Sequence, residues 1–301
     1  MAENKRWEGA RAWPVYLIAA ALPISMAAVS ISKVALVLFG LAVLSITMLR
    51  RQPMPALRRL ISPIVILVML AALAASLAYT DAPASGALID LGKYGKLLVL
   101  LLIPALVRTR REALIALGCY VAAQTFVVLT SYLLAGGLML PWVYKPERTS
   151  LATVFSSHLD QTIMTAGMAA LCWHLRGEFP GRYGPRIAVA LALLATVNAV
   201  FLLPGRSGHV ALLTAASLAV FWAVPRRLRL LALLAPLLLV AAALISSHHF
   251  RERLSDVVTE TRAYEQGDPT LTSSGIRINF WTRSLQAIRE RPFTGYGVGS
   301  W

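Results

Sequence analysis

Cysteine and acid are what this 301-residue chain is short of. Its two cysteines, Cys119 and Cys172, lie inside or at the inner edge of apolar runs with no metal-ligand spacing between them, so neither a disulfide framework nor a zinc site is supported. Only 14 residues are Asp or Glu and only 14% of positions are charged, while 57% are hydrophobic. A water-soluble globule of this size could not coat its surface with so few polar groups. The apolar stretches also lack the apolar/polar alternation of a membrane barrel, which leaves helices as the way to satisfy the backbone in lipid.

What the chain does contain is a series of apolar runs, each near the ~20 residues a helix needs to cross a bilayer. They lie near 13–30, 34–48, 61–79, 94–107, 113–134, 161–175, 187–203, 208–224 and 230–246. The expected fold is therefore all-α, a polytopic bundle of about nine transmembrane helices over residues 1–246, followed by a loop domain at 247–301. Lys5 and Arg6 precede the first run, which ends without a clear small-x-small cleavage site, so it is read as an uncleaved first helix.

The net charge is +15, a value that raises nucleic acid as a partner until its distribution is considered. With the amino terminus inside, sixteen basic residues fall in one set of connecting segments: Lys5, Arg6, Arg11, Arg50, Arg51, Arg58, Arg59, Arg108, Arg110, Arg111, Arg176, Arg182, Arg186, Arg226, Arg227 and Arg229. The short segments of the other set hold six, namely Lys33, Lys93, Lys96, Lys145, Arg148 and Arg206. Such an imbalance is a topology signal that puts the amino terminus in the cytoplasm, and contact with anionic membrane lipid accounts for the charge without nucleic acid.

Three outer segments are longer than a turn: 80–93, 135–160 and everything after Ser247. Long loops on a compact bundle are where function is concentrated. Arg206, in Leu203-Pro204-Gly205-Arg206-Ser207-Gly208-His209, sits at the start of a helix, where its guanidinium and the free backbone N–H groups can face one anion, with Ser207 placed to cap. Snorkelling at a span end is the plainer reading of the same residue. Ser273 or Ser274 can cap a helix that runs through Arg277 and Trp281 and stops before Pro292, with Ile278, Trp281, Leu285 and Ile288 on one apolar, interfacial face. Arg277 then falls in the first turn, against the helix dipole, and calls for an anion or for an acid such as Asp268. Lys93 and Lys96 lie near an outer span end as anchors or diphosphate contacts, and His158 and His209 lie on the outer side as loop histidines or proton-transfer groups. Gly295-Tyr296-Gly297-Val298-Gly299 fails the phosphate-loop spacing and is read as a flexible turn.

The stretch Ser273-Ser274-Gly275-Ile276-Arg277-Ile278-Asn279-Phe280-Trp281, continuing through Arg291-Pro292-Phe293-Thr294-Gly295-Tyr296-Gly297-Val298-Gly299, is similar to one shared by O-antigen ligases and polymerases. Gly205-Arg206-Ser207-Gly208 resembles that family's other arginine motif, and Thr153 to Gln161 resembles a segment seen more in ligases. The resemblance implies a glycosyltransferase of the inner membrane, independent of metal and without a cofactor, working at the periplasmic face. Its donor would be O-antigen on undecaprenyl pyrophosphate and its acceptor the lipid A core oligosaccharide, with inversion at the sugar. Arg206 and Arg277 would be catalytic, converging on the diphosphate, and Lys93, Lys96, Arg148, His158 and His209 would contact substrate. Family members carry a further histidine later in the same loop and more spans after it, so the expectation is that this sequence is a fragment. An O-antigen polymerase or a protein O-oligosaccharyltransferase would use the same donor with a different acceptor. A lipid or polysaccharide transporter would instead need charged residues at mid-span, which the runs contain almost none of.

Overall fold

The computed structural model describes residues 11–49, 61–143, 152–155, 157–229 and 273–300, with scattered positions between 234 and 262. Among these residues every regular element is helical. In chain order they are α1 (Trp13–Ala21), α2 (Met26–Leu49), α3 (Ile61–Ala75), α4 (Ala84–Tyr94), α5 (Leu98–Leu106), α6 (Arg110–Ala135), α7 (His158–His174), α8 (Gly184–Val197), α9 (Arg206–Ala223) and α10 (Ser273–Glu290). Short 3₁₀ turns extend α3 at Ser76–Ala78 and join α4 to α5 at Gly95–Leu97, and a π-helical turn at Asn198–Leu202 extends α8.

The nine membrane crossings expected from the apolar runs are corrected by the structure. Among the described residues three helical stretches are long and apolar enough to cross a membrane, Met26–Thr47, Arg110–Ala135 and Gly184–Leu202, and two shorter apolar helices accompany them, Ile64–Ala78 and Ser207–Ala223. An apolar run is not the same thing as an unbroken helix. Pro23 cannot continue a helix, so the first run splits between α1 and α2, and α2 absorbs the second expected span. Lys33, expected in an outer loop, lies inside α2 and is exposed. The run at 94–107 is divided by the turn at Gly95–Leu97, leaving α5 with nine residues. The run at 161–175 becomes the 17-residue α7, whose buried side carries Gln161, Thr162 and Thr165. The ninth run, 230–246, falls mostly outside the described residues.

The chain divides into two compact units. The first comprises residues 1–15, 33–112 and 257–301. Here Arg11 gathers the ends of several elements, donating to the Leu106 carbonyl at 3.1 Å and to the Glu112 carboxylate at 2.9 Å. Glu112 also accepts from the backbone N–H groups of Arg108 and Thr109, while the Thr109 hydroxyl accepts from the Glu112 N–H, a reciprocal cap for the start of α6. Arg108 reaches Thr47 at 3.2 Å, tying the end of α2 to the same cluster.

The second unit comprises residues 16–32 and 113–256. Its core is built on α7, packed between α8 and α9, with Val121, Val128, Met168, Cys172, Ala192 and Ala195 buried together. Small side chains on α8 let the backbones approach, the arrangement expected where lipid removes the hydrophobic drive between helices. A second cluster, Val127, Leu134, Val143 and Val154 with Ile24 against it, covers the chain segment that enters α7.

Candidate functional site

In the second unit the structure builds a turn around Arg206. After the π-helical turn, Leu203, Pro204 and Gly205 are buried and non-helical, and α9 starts at Arg206. Its N-cap is Gly205, not Ser207 as expected, and Gly205 offers no side chain to the first amide groups of the helix. Those groups and the positive end of the helix dipole are what an anion would meet. Arg206 itself is placed by its backbone at the first position of α9.

Two glycines flank Arg206 because α7 is immediately behind them. A Cβ on Gly205 would lie 2.3 Å from Thr162 Oγ1 and 3.0 Å from the His158 carbonyl, and one on Gly208 would lie 2.2 Å from Thr162 Cγ2. The start of α9 is therefore packed directly against Thr162 and the His158 carbonyl of α7, so the Thr153–Gln161 segment and the arginine turn are neighbours. Ser157 caps α7, accepting from the Asp160 N–H at 3.1 Å and donating to its carboxylate at 2.8 Å. His158 is the first residue of α7, half-buried, its carbonyl accepting from the Thr162 hydroxyl at 2.5 Å.

A layer of buried polar side chains holds this arrangement from within. Gln161 is 1% exposed and spends both ends of its amide on the incoming chain, accepting from Val154 N–H at 2.9 Å and donating to the Ala152 carbonyl at 3.2 Å. Gln124 donates to Thr165, which donates to the Gln161 carbonyl. Asn198, at the start of the π-helical turn, donates to Ser131 at 3.0 Å. His209 is buried, and its Nε2 lies 2.9 Å from the Ala199 carbonyl, so its ring pins the start of α9 to the π-helical turn. Sequence reasoning missed this layer. Its signal is uncharged: Gln124, Gln161 and Asn198 stand inside apolar runs, where a neutral amide disturbs hydropathy far less than a charge.

In the first unit α10 already includes Ser273, so Arg277 lies in the second turn rather than the first, where the opposing dipole is largely spent. Arg277 is half-buried and makes no ion pair among the described residues; Asp268 lies outside them. Helical spacing sets Arg277 and Ser284 between Ile276 and Phe280 on one side and Trp281, Leu285 and Ile288 on the other, apart from Arg283 and Arg289. These five apolar side chains are exposed. As expected, α10 ends at Glu290, before Pro292.

The glycine run after α10, expected to be a flexible turn, is instead an ordered clasp on the turn between α3 and α4. Gly295, Gly297 and Gly299 have φ of 65°, 85° and 82°, a region open to glycine, and Val298 is buried. Val298 N–H donates to Ser76 Oγ at 3.0 Å, and Thr80 Oγ1 donates to the Val298 carbonyl at 2.7 Å and lies 3.0 Å from Ser300 Oγ. Tyr79 donates to the Thr294 carbonyl at 2.9 Å. Arg291 pairs with Asp81 at 3.1 Å, its guanidinium 4.3 Å from the centre of the Tyr296 ring, and the Tyr296 hydroxyl donates to Glu290. That hydrogen bond, with a second from Gln286, holds the Glu290 carboxyl below its usual range.

Of the other residues singled out in the sequence, Lys93 is exposed and paired with Asp90 at 2.5 Å, whose hydrogen bond and charge raise its pKa. Lys96 is exposed on the 3₁₀ turn after α4. Arg148 lies outside the described residues. His158, Arg206 and His209 thus belong to the second unit, and Lys93, Lys96 and Arg277 to the first. No group of three or more metal-ligating side chains is found among the described residues.

A family model described as O-antigen ligase matches residues 189–301, a stretch that holds both arginine motifs and the clasp. No curated protein matches the chain, and no solved structure does.

Proposed function

We propose that this chain, whose residues 189–301 match a family model described as O-antigen ligase, is a membrane glycosyltransferase that moves an O-antigen glycan from undecaprenyl pyrophosphate to the lipid A core oligosaccharide. The observation that carries the reading is the Gly205–Gly208 turn: two glycines with no room for a side chain, an uncapped helix start and an arginine at its first position. An uncapped helix start with an arginine at its first position suits an anion, and a lipid diphosphate at the outer leaflet is an anion of fitting charge.

In this reading the donor carries its own leaving group, so the protein's work is to hold it and to stabilise charge. Arg206 and Arg277 bind the diphosphate and stabilise the negative charge that grows on it as the bond to the anomeric carbon breaks. The acceptor hydroxyl attacks from the opposite face, inverting the sugar. His158, at the first position of α7 beside the Arg206 turn, contacts the donor, with Lys93, Lys96 and Arg148 as further contacts at the periplasmic surface. His209 serves by holding the turn through Ala199.

The test uses the full-length protein, assayed for transfer from the lipid-linked glycan to lipid A core. Arg206→Ala and Arg277→Ala should each lower the rate by about a hundredfold or more, the loss expected when one stabilising donor at a developing anion is removed. Lysine at either position should recover only part of it, since lysine keeps the charge and loses the planar fork. Unchanged transfer in both alanine variants would refute the assigned roles.

A further inference from the structure

We infer that the turn between α3 and α4 is the seat that positions the Arg277 helix, and that Thr80 is its central positioning residue. This rests on the reading of Arg277 as a diphosphate-binding group. All of the contacts lie within one unit.

The seat is specific. Residues 76–87 receive residues 291–300 across more than two hundred positions of sequence through hydrogen bonds that use both main-chain groups of Val298. Thr80 Oγ1 is the hub, donating to the Val298 carbonyl, facing Ser300 Oγ and accepting from Ala82 N–H at 3.3 Å. The fit leaves no slack: a Cβ on Gly297 would lie 2.7 Å from Thr80 Cα and Cβ, and one on Gly299 would lie 2.8 Å from Ala87 Cα.

The clasp is also coupled to the helix, which distinguishes it from a loose strap. Arg291, directly after the last residue of α10, pairs with Asp81 and covers the Tyr296 ring, while Tyr296 returns a hydrogen bond to Glu290 on α10. The last turn of α10 is thereby tied to the seat through Arg291 and to the clasp through Tyr296. Five large apolar side chains of α10 are exposed, while Ser274 and Gly275 at its start are buried, so the helix is fixed at its ends more than along its length. Its direction, and with it the place of Arg277, therefore depends in part on how its carboxyl end is held.

The experiment compares Thr80→Val, which keeps the shape and removes the hydroxyl, with Thr80→Ser, which restores it. Two readouts are taken on the full-length protein with Cys119→Ala: the glycan transfer rate at saturating donor, and the spin-label distance between exposed positions Leu88→Cys and Thr282→Cys. Thr80→Val should broaden the distance distribution and lower kcat about tenfold, a smaller loss than the hundredfold that follows a 1 Å misplacement. Thr80→Ser should keep a narrow distribution and a kcat within about twofold of the parent. A narrow distribution and normal kcat in Thr80→Val would overturn the inference, and so would a broad distribution with normal kcat, since the seat would then be a strap without consequence for transfer. Normal transfer in Arg277→Ala, with the distance still broadened by Thr80→Val, would show that the functional reading had failed while the seat was real, and the claim on catalysis would fall with it.

Discussion

Replacing Gly205 by alanine tests whether contact, rather than backbone freedom, is what the arginine turn demands. Gly205 has φ −75° and ψ 98°, values that alanine adopts without strain, so the conformation gives no reason for glycine. Space does: the new Cβ would lie 2.3 Å from Thr162 Oγ1 and 2.6 Å from Thr162 Cβ. Carbon atoms rest comfortably at about 3.5–4 Å, so α7 and α9 must part by about 1 Å. Overpacking of this kind costs about 1–3 kcal/mol. The rate should fall further than the stability, because a displacement of about 1 Å in a positioned catalytic group costs up to about a hundredfold. Thermal unfolding of the detergent-purified protein and the transfer assay read the two effects. Thr162→Gly removes the two nearest atoms, and the next nearest is the His158 carbonyl at 3.0 Å. Measured against Thr162→Gly alone, Gly205→Ala should then be nearly harmless, a coupling of about 1 kcal/mol or more. Gly118→Ala is the control, since nothing lies within 4 Å of a Cβ there, and it should be neutral or mildly stabilising. If Gly205→Ala melts and transfers like the parent, the packing argument for the turn is refuted.

Two further outcomes follow from the buried polar layer. His209→Ala removes the ring nitrogen 2.9 Å from the buried Ala199 carbonyl, and should lower stability by about 1–3 kcal/mol in a melting experiment, the cost of an orphaned buried acceptor; an unchanged melting temperature would deny the histidine its anchoring role. Gln161→Leu keeps the bulk but strands both the Val154 N–H and the Ala152 carbonyl, so it should cost more than His209→Ala, about 2–6 kcal/mol if the two groups add, and a smaller loss than that of His209→Ala would count against the clamp.

The helical class was legible because apolar runs of span length have few other solutions in lipid. The number of crossings was not, since hydropathy counts apolar residues and says nothing of the points where the backbone must turn. Pro23 and the turn at Gly95–Leu97 are such points, and each divides a run that composition reads as continuous. Lys33 shows the complementary limit: a charge suggests a loop, yet one exposed lysine is carried within an otherwise apolar helix. The end of α10 before Pro292 is legible in the sequence, because proline removes a donor that the helix interior needs.

The arginine turn and the clasp differ in what the sequence could convey about them. Gly205 and Gly208 stand either side of an arginine at a helix start, so local chemistry suggested an anion site, although the partner that makes glycine necessary, Thr162, lies more than forty positions earlier. At Gly295, Gly297 and Gly299 the same residue type suggested freedom, and the structure shows constraint. Glycine alone cannot separate these cases, for it permits both a mobile turn and a close approach of backbones. The deciding residues are on the other side of the contact: Ser76 and Thr80 supply the hydroxyls, and Ala82 and Ala87 are small enough to admit the run. A short polar pair at the end of an apolar helix carries no sign of its distant partner. The same logic explains why an arginine motif can be recognised in sequence while the device that aims it cannot: charge is a property of one residue, whereas position is a property of the fold that holds it.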